Sequence, residues 1–148
     1  MHLRAVAVGL AAGTLSGLGR LHLTGTPEQL ANSLSTWLVV PFLLGAFAAN
    51  WRRAATAGAV AGLGQLAGFY AVTGAFESAG SVAFWVAGAL GGGSLFGVAG
   101  HRRALLVLGR AFVIEGLVDT GPLWVATGVA LGALSRRHAT IPGCSTPR

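Results

Sequence analysis

The chain has no lysine, one cysteine, one tyrosine and only four acidic residues in 148, and 9% of its residues are charged. Each scarcity excludes something. An ordinary soluble domain carries about 25% charged residues, so a chain this poor in charge would aggregate in water. One cysteine, Cys144 in the polar C-terminal tail, cannot form an internal disulfide, and no Cys/His cluster at metal-ligand spacing accompanies it. The residues that follow it, Ser145 to Arg148, also lack the aliphatic pair of a prenylation signal. The formal net charge of +6 is ten Arg against four acids, and six of the Arg fall in three adjacent pairs between apolar runs. It forms no basic stripe interleaved with aromatics, which argues against nucleic acid as a partner.

What is present is apolar. Hydrophobic residues make up 53% of the chain and Gly contributes 24 positions. These fall into six segments, at 3–23, 26–50, 54–74, 81–100, 104–118 and 123–134. Two of them, 54–74 and 81–100, come close to the ~20 residues that cross ~30 Å of hydrocarbon. The first carries Arg4 near its start, as a signal peptide would, but has no convincing cleavage site and is read as a retained helix. Thr26-Pro27-Glu28-Gln29 predicts a helix start with Thr as cap, and Pro41 predicts a kink in the same helix. The last segment is short and must borrow flanking residues, thin the bilayer or be re-entrant.

Arg placement tests this division independently, because cytoplasmic loops retain Arg. Arg4, Arg52, Arg53, Arg102, Arg103, Arg136, Arg137 and Arg148 fall on one side of a six-span arrangement, and Glu28, Glu77 and Asp119 on the other. The expectation is an all-α, polytopic, six-helix transmembrane bundle over 1–138, with a polar cytoplasmic tail at 139–148. Both termini would be cytoplasmic and the location would be the inner membrane. Ala49–Ala54 also resembles Ala99–Ala104 at an offset of fifty, either as a trace of duplication or because Arg pairs recur at inner loops.

Gly pairs four residues apart are frequent and let helix backbones approach. Gly9, Gly13 and Gly17 are selected as a contact face. Other pairs, such as Gly58/Gly62, Gly64/Gly68, Gly88/Gly92 and Gly93/Gly97, share the spacing. Gly91-Gly92-Gly93-Ser94 lacks a P-loop Lys, and Gly17–His22 does not complete a dinucleotide fingerprint. His2, His22, His101 and His138 sit at span boundaries without a second His at metal spacing, and no Ser or Thr has an identifiable acid–base partner. No metal, cofactor or catalytic motif is therefore assigned. Trp37, Trp51, Trp85, Trp124 and Tyr70 are read as interfacial anchors.

Polar groups inside apolar spans carry the functional reading. Gln65 and Glu115 lie at matching depths and are expected to converge on a polar cavity, with Tyr70 near its outer mouth; the plainer alternative is a ligand-free helix clamp. Arg110, seven residues from Arg103, can snorkel to the cytoplasmic headgroups. Arg20 and Asp119 stand at one height, and Arg20 is expected to pair with Asp119, or with Glu115 one turn below it, with separate solvation as the alternative.

Asn32-Ser33 followed by Trp37, then Phe42, Gly45, Phe69-Tyr70, Phe84-Trp85, Gly92, Phe96-Gly97, Gly100 and Glu115-Gly116 resembles a family of small actinobacterial integral membrane proteins of unknown function. The resemblance implies a multi-span bacterial fold and carries no activity. Three functions stay open: a small-solute binding or transport component, an accessory or scaffold subunit packing through its glycine faces, and an intramembrane enzyme. The partners implied are the lipid bilayer, with a small solute, a membrane-protein partner or a second copy of the chain.

Overall fold

The computed structural model describes residues 2–74, 78–118 and 122–139. Among them every regular element is an α-helix: α1 (His2–His22), α2 (Thr26–Asn32), α3 (Leu34–Ala46), α4 (Trp51–Thr73), α5 (Ala79–His101), α6 (Leu105–Val118) and α7 (Pro122–Ala139). The chain divides into two compact units, Met1–Arg103 and Ala104–Arg148. Among the described residues two helices, α4 and α5, are long and apolar enough to cross a membrane, or three spans if the bent pair α2 and α3 counts as one.

In the first unit α4 is central. It packs on α1 along one side and on α3 and α5 along the other, α3 also packs on α5, and α2 lies on α1. The core of this unit is small. Ala5, Ala54, Ala57 and Ala61 are wholly buried, whereas Leu3, Phe47, Phe84 and Leu95 point outward. Small residues inside and large apolar residues outside is the pattern expected where lipid supplies no hydrophobic drive between helices and close backbone approach must hold them. It is compatible with a membrane protein.

Glycine sets that approach. A Cβ on Gly13 would overlap the backbone of Gln65, and one on Gly9 the carbonyl of Ala61. Gly17 is looser, with Val72 Cβ 3.2 Å from the added atom. Across the opposite side of α4, Gly58 meets Gly93 and Gly97 meets Ala54, while Gly45 of α3 meets Gly97 in turn. In the second unit Gly109 of α6 and Gly128 of α7 face each other in the same way.

The second apolar segment departs from expectation. It is not one helix kinked at Pro41, but two helices bent by 46° at Ser33. Ser33 is extended, at φ −71° and ψ 135°, and its hydroxyl accepts from the Thr36 N–H, so it starts a new helix. Pro41 lies within α3 and is almost wholly buried, packed among its neighbours as helix-breaking residues in apolar bundles can be. Thr26 is not the cap of α2; Gly25 occupies that position with φ 69° and no side-chain bond. Asn50, expected to close the segment, instead caps α4, its side chain accepting from the Arg53 N–H at 2.9 Å. The last segment extends further than expected, as the 18-residue α7.

The two similar Arg-containing stretches differ in local role. Asn50 to Arg53 begins α4, whereas Gly100 to Arg103 ends α5, with Arg103 at φ 51°.

Candidate functional site

Two adjoining cavities lie within the first unit. The larger, about 290 Å³, is walled by α3, α4 and α5; the smaller, about 160 Å³, is lined by residues of α1 to α5. They share Leu34, Trp37, Leu66 and Trp85 as lining.

The sequence of α5 explains why the larger space exists. Phe84, Gly88, Gly92 and Phe96 follow one another at four-residue steps, so they share a helix face. The neighbouring pair Gly93 and Gly97 is pressed against α4, but a Cβ on Gly88 would meet nothing within 4 Å, and one on Gly92 only Leu38 Cδ2 at 3.5 Å. These two glycines leave a gap bounded by aromatic rings. They do not bring helices together, although their spacing is that of a packing pair.

Gln65 lines this gap from α4. Only 3% of it is exposed, and its Oε1 has no hydrogen-bond partner among the described residues. A buried amide oxygen left unpaired costs about 1–3 kcal/mol, and such groups call for an explanation in a folded protein. Apart from indole nitrogens, Gln65 is the one polar side chain among the described residues lining the larger cavity.

The smaller cavity is more polar. Arg20, Asn32 and Tyr70 line it beside Phe69 and Trp85. Its wall is held by a hydrogen-bonded relay: Trp37 Nε1–H donates to Ser16 Oγ at 3.0 Å, and Ser16 Oγ donates to the Ala31 carbonyl. Ala31 sits in the last turn of α2, where carbonyls lose their in-helix partners, so Ser16 satisfies a group exposed by the break at Ser33. Phe69 packs edge-on to Trp37 at 5.4 Å between centroids, and Tyr70 edge-on to Phe69 at 6.0 Å. Ser16→Ala is expected to lower stability by about 1–2 kcal/mol, because the Trp37 N–H and Ala31 carbonyl both lose their partner. Thermal unfolding in detergent checks this, and an unchanged midpoint would count against the relay.

Of the residues singled out in the sequence, Gln65 and Tyr70 line adjoining cavities, and Gly9, Gly13 and Gly17 lie buried on the face of α1 turned to α4. Arg20, exposed at the end of α1, lines the smaller cavity; its expected partner Asp119 lies outside the described residues. Arg110 and Glu115 lie on α6 in the second unit, the first exposed and the second half-buried. Glu77 and Cys144 also fall outside the described residues. Sequence reasoning missed Ser16, Asn32 and Trp37, whose roles depend on contacts between distant segments. The stripe from Phe84 to Phe96 was visible as a periodicity. No cluster of three or more potential metal ligands occurs among the described residues.

An all-helical chain with a small-residue core, outward-facing apolar side chains and two or three helices fit to span a bilayer belongs to a class compatible with membrane proteins. The chain matches, over residues 2–120, a family of unknown function, DUF6518, and belongs to it. Among curated proteins and among solved structures, nothing matches this chain.

Proposed function

We propose that the protein is a polytopic inner-membrane protein of six spans with both termini in the cytoplasm, and that the first unit binds a small solute as a binding or transport component. The observation that carries the solute reading is the buried Gln65 side chain, its Oε1 unpaired among the described residues, in the lining of a cavity walled by aromatic side chains. Concave, mostly apolar sites with a few placed polar groups are the usual form of small-molecule sites. The glycine faces of α1 and α4, and Gly93 and Gly97 of α5, are occupied by contacts within the unit, so they lend no support to a scaffold assembling through them.

Native mass spectrometry of protein extracted from its own membrane tests the solute reading. A small molecule retained by the native sequence and lost from Gly88→Leu, which fills the gap, is the expected result. Identical bare masses for both would contradict it. For topology, Cys labelling at Glu77 and Ser135 should report opposite sides of the membrane, and labelling from one side alone would remove the six-span arrangement. Glu115, an acid within the apolar α6, is proposed as a functional group in its own right. Glu115→Gln should leave folding intact and abolish a solute-dependent or proton-dependent activity.

A further inference from the structure

Backbone contacts fix the directions of the helices in the first unit. Gly9, Gly13 and Gly17 of α1 meet Ala61, Gln65 and Phe69 of α4 in rising order, so these two helices run the same way. Gly58 and Gly62 of α4 meet Gly93 and Ala89 of α5 in falling order, so α5 runs back. The starts of α1 and α4 and the end of α5 therefore share one end of the unit. Arg4, Arg52, Arg53, Arg102 and Arg103 gather there, all exposed, and none forms an ion pair among the described residues. Glu28, the one described acid of the unit, is at the opposite end, on α2 where Ala31 meets Gly19 of α1. Gly97 meets Ala54; Arg52 lies two residues from the latter and Arg102 five from the former, so their heights differ by about 4.5 Å. His101 fastens this end, its Nδ1 lying 3.1 Å from the Ala48 carbonyl in the turn before α4.

We propose that this end of the first unit binds the headgroups of anionic phospholipids, with the two Arg pairs on phosphate oxygens. The inference rests on the membrane reading above and lies apart from the cavities. Packing has brought five like charges together, and like charges repel unless counter-charge is supplied; the described residues supply none at this end. The apolar groups beside them choose the partner. Trp51 is 54% exposed and Phe47 87% exposed, and Arg52 Cζ lies 5.3 Å from the centroid of the Trp51 ring. Phe47 directly follows Ala46, which meets Gly100 near the end of α5. Aromatic rings beside cations suit the boundary between headgroups and acyl chains, and basic clusters at the cytoplasmic ends of helices attract anionic lipid. A soluble polyanion would match the charges but leave both rings in water.

The test strips the full chain of lipid in a neutral detergent and titrates it with phosphatidylglycerol, phosphatidylcholine or inorganic diphosphate. Native mass spectrometry reads the bound adducts, and thermal unfolding reads the midpoint. Phosphatidylglycerol should bind more tightly than the other two and raise the midpoint most. Each Arg near a membrane surface is worth about fivefold in affinity for anionic lipid, so Arg52→Gln combined with Arg102→Gln should weaken phosphatidylglycerol binding about 25-fold. Arg52→Lys with Arg102→Lys should retain it, because the charge is kept. Without lipid, the double Gln variant should unfold no earlier than the native chain, since it relieves repulsion. Equal affinity for the two lipids, tighter binding of diphosphate, loss of binding in the Lys variant, or earlier unfolding of the lipid-free Gln variant would overturn the assignment. If phosphatidylglycerol fails while Cys labelling still puts Glu77 and Ser135 on opposite sides, the headgroup assignment is wrong and the topology stands.

Discussion

Gly13→Val is expected to destabilise the protein by about 3 kcal/mol or more, at or above the upper end of the usual overpacking range. The reason is the identity of the atoms that would be struck. An added Cβ at Gly13 lands on the backbone carbonyl, carbonyl carbon and Cα of Gln65, and a backbone cannot rotate aside as a flexible side chain can. Relief requires α1 to move away from α4, which would also open the contacts of Gly9 with Ala61 and of Gly68 with Leu10 and Thr14. A large drop in the thermal midpoint, or loss of the folded species from size-exclusion chromatography in detergent, is the readout. Gly91→Leu provides the contrast: it introduces more volume but meets open space, and replacing Gly within a helix favours the helix by about 1 kcal/mol. Equal behaviour of the two variants would show that α1 and α4 do not meet through Gly13.

Gln65→Leu is expected to have the opposite sign. Replacing a buried, unpaired amide by an apolar side chain of similar size removes the cost of its desolvation, so the empty protein should gain about 1–3 kcal/mol. The same change should remove whatever the amide recognises. Greater stability combined with lost binding is the signature of a group kept for function at the expense of the fold. Destabilisation by Gln65→Leu would instead identify the amide as a structural clamp whose partner lies outside the described residues.

The sequence revealed more of the helices than of the site, for physical reasons. Five of the six segments reappear with ends shifted by a few residues, because an apolar run bounded by Arg, Gly or Pro has few other ways to satisfy its backbone. Ser33 shows the limit: it stands in a polar Asn32-Ser33 step that reads equally well as part of a helix, and only its extended backbone and its bond from Thr36 make it a break. Pro41 drew attention as the conspicuous helix breaker, yet its surroundings accept it. At the site, the depth of Gln65 within its span was legible from helical rise alone. What surrounds it was not, since Trp37 reaches the cavity from α3 and is fixed by Ser16 of α1, twenty-one residues away in the chain. Glycine spacing by itself did not distinguish Gly93/Gly97, which bring backbones together, from Gly88/Gly92, which leave a space. Phe84 and Phe96 line that space at its two ends, Phe96 buried and Phe84 largely exposed.

The most direct measurement is an experimental density map of the chain purified in lipid from its native membrane. Density for a small molecule between α3, α4 and α5, packed against the Gln65 side chain, is the result this account predicts. A map in which that space is closed, or filled by an acyl chain with Gln65 Oε1 bonded to the protein itself, would contradict it.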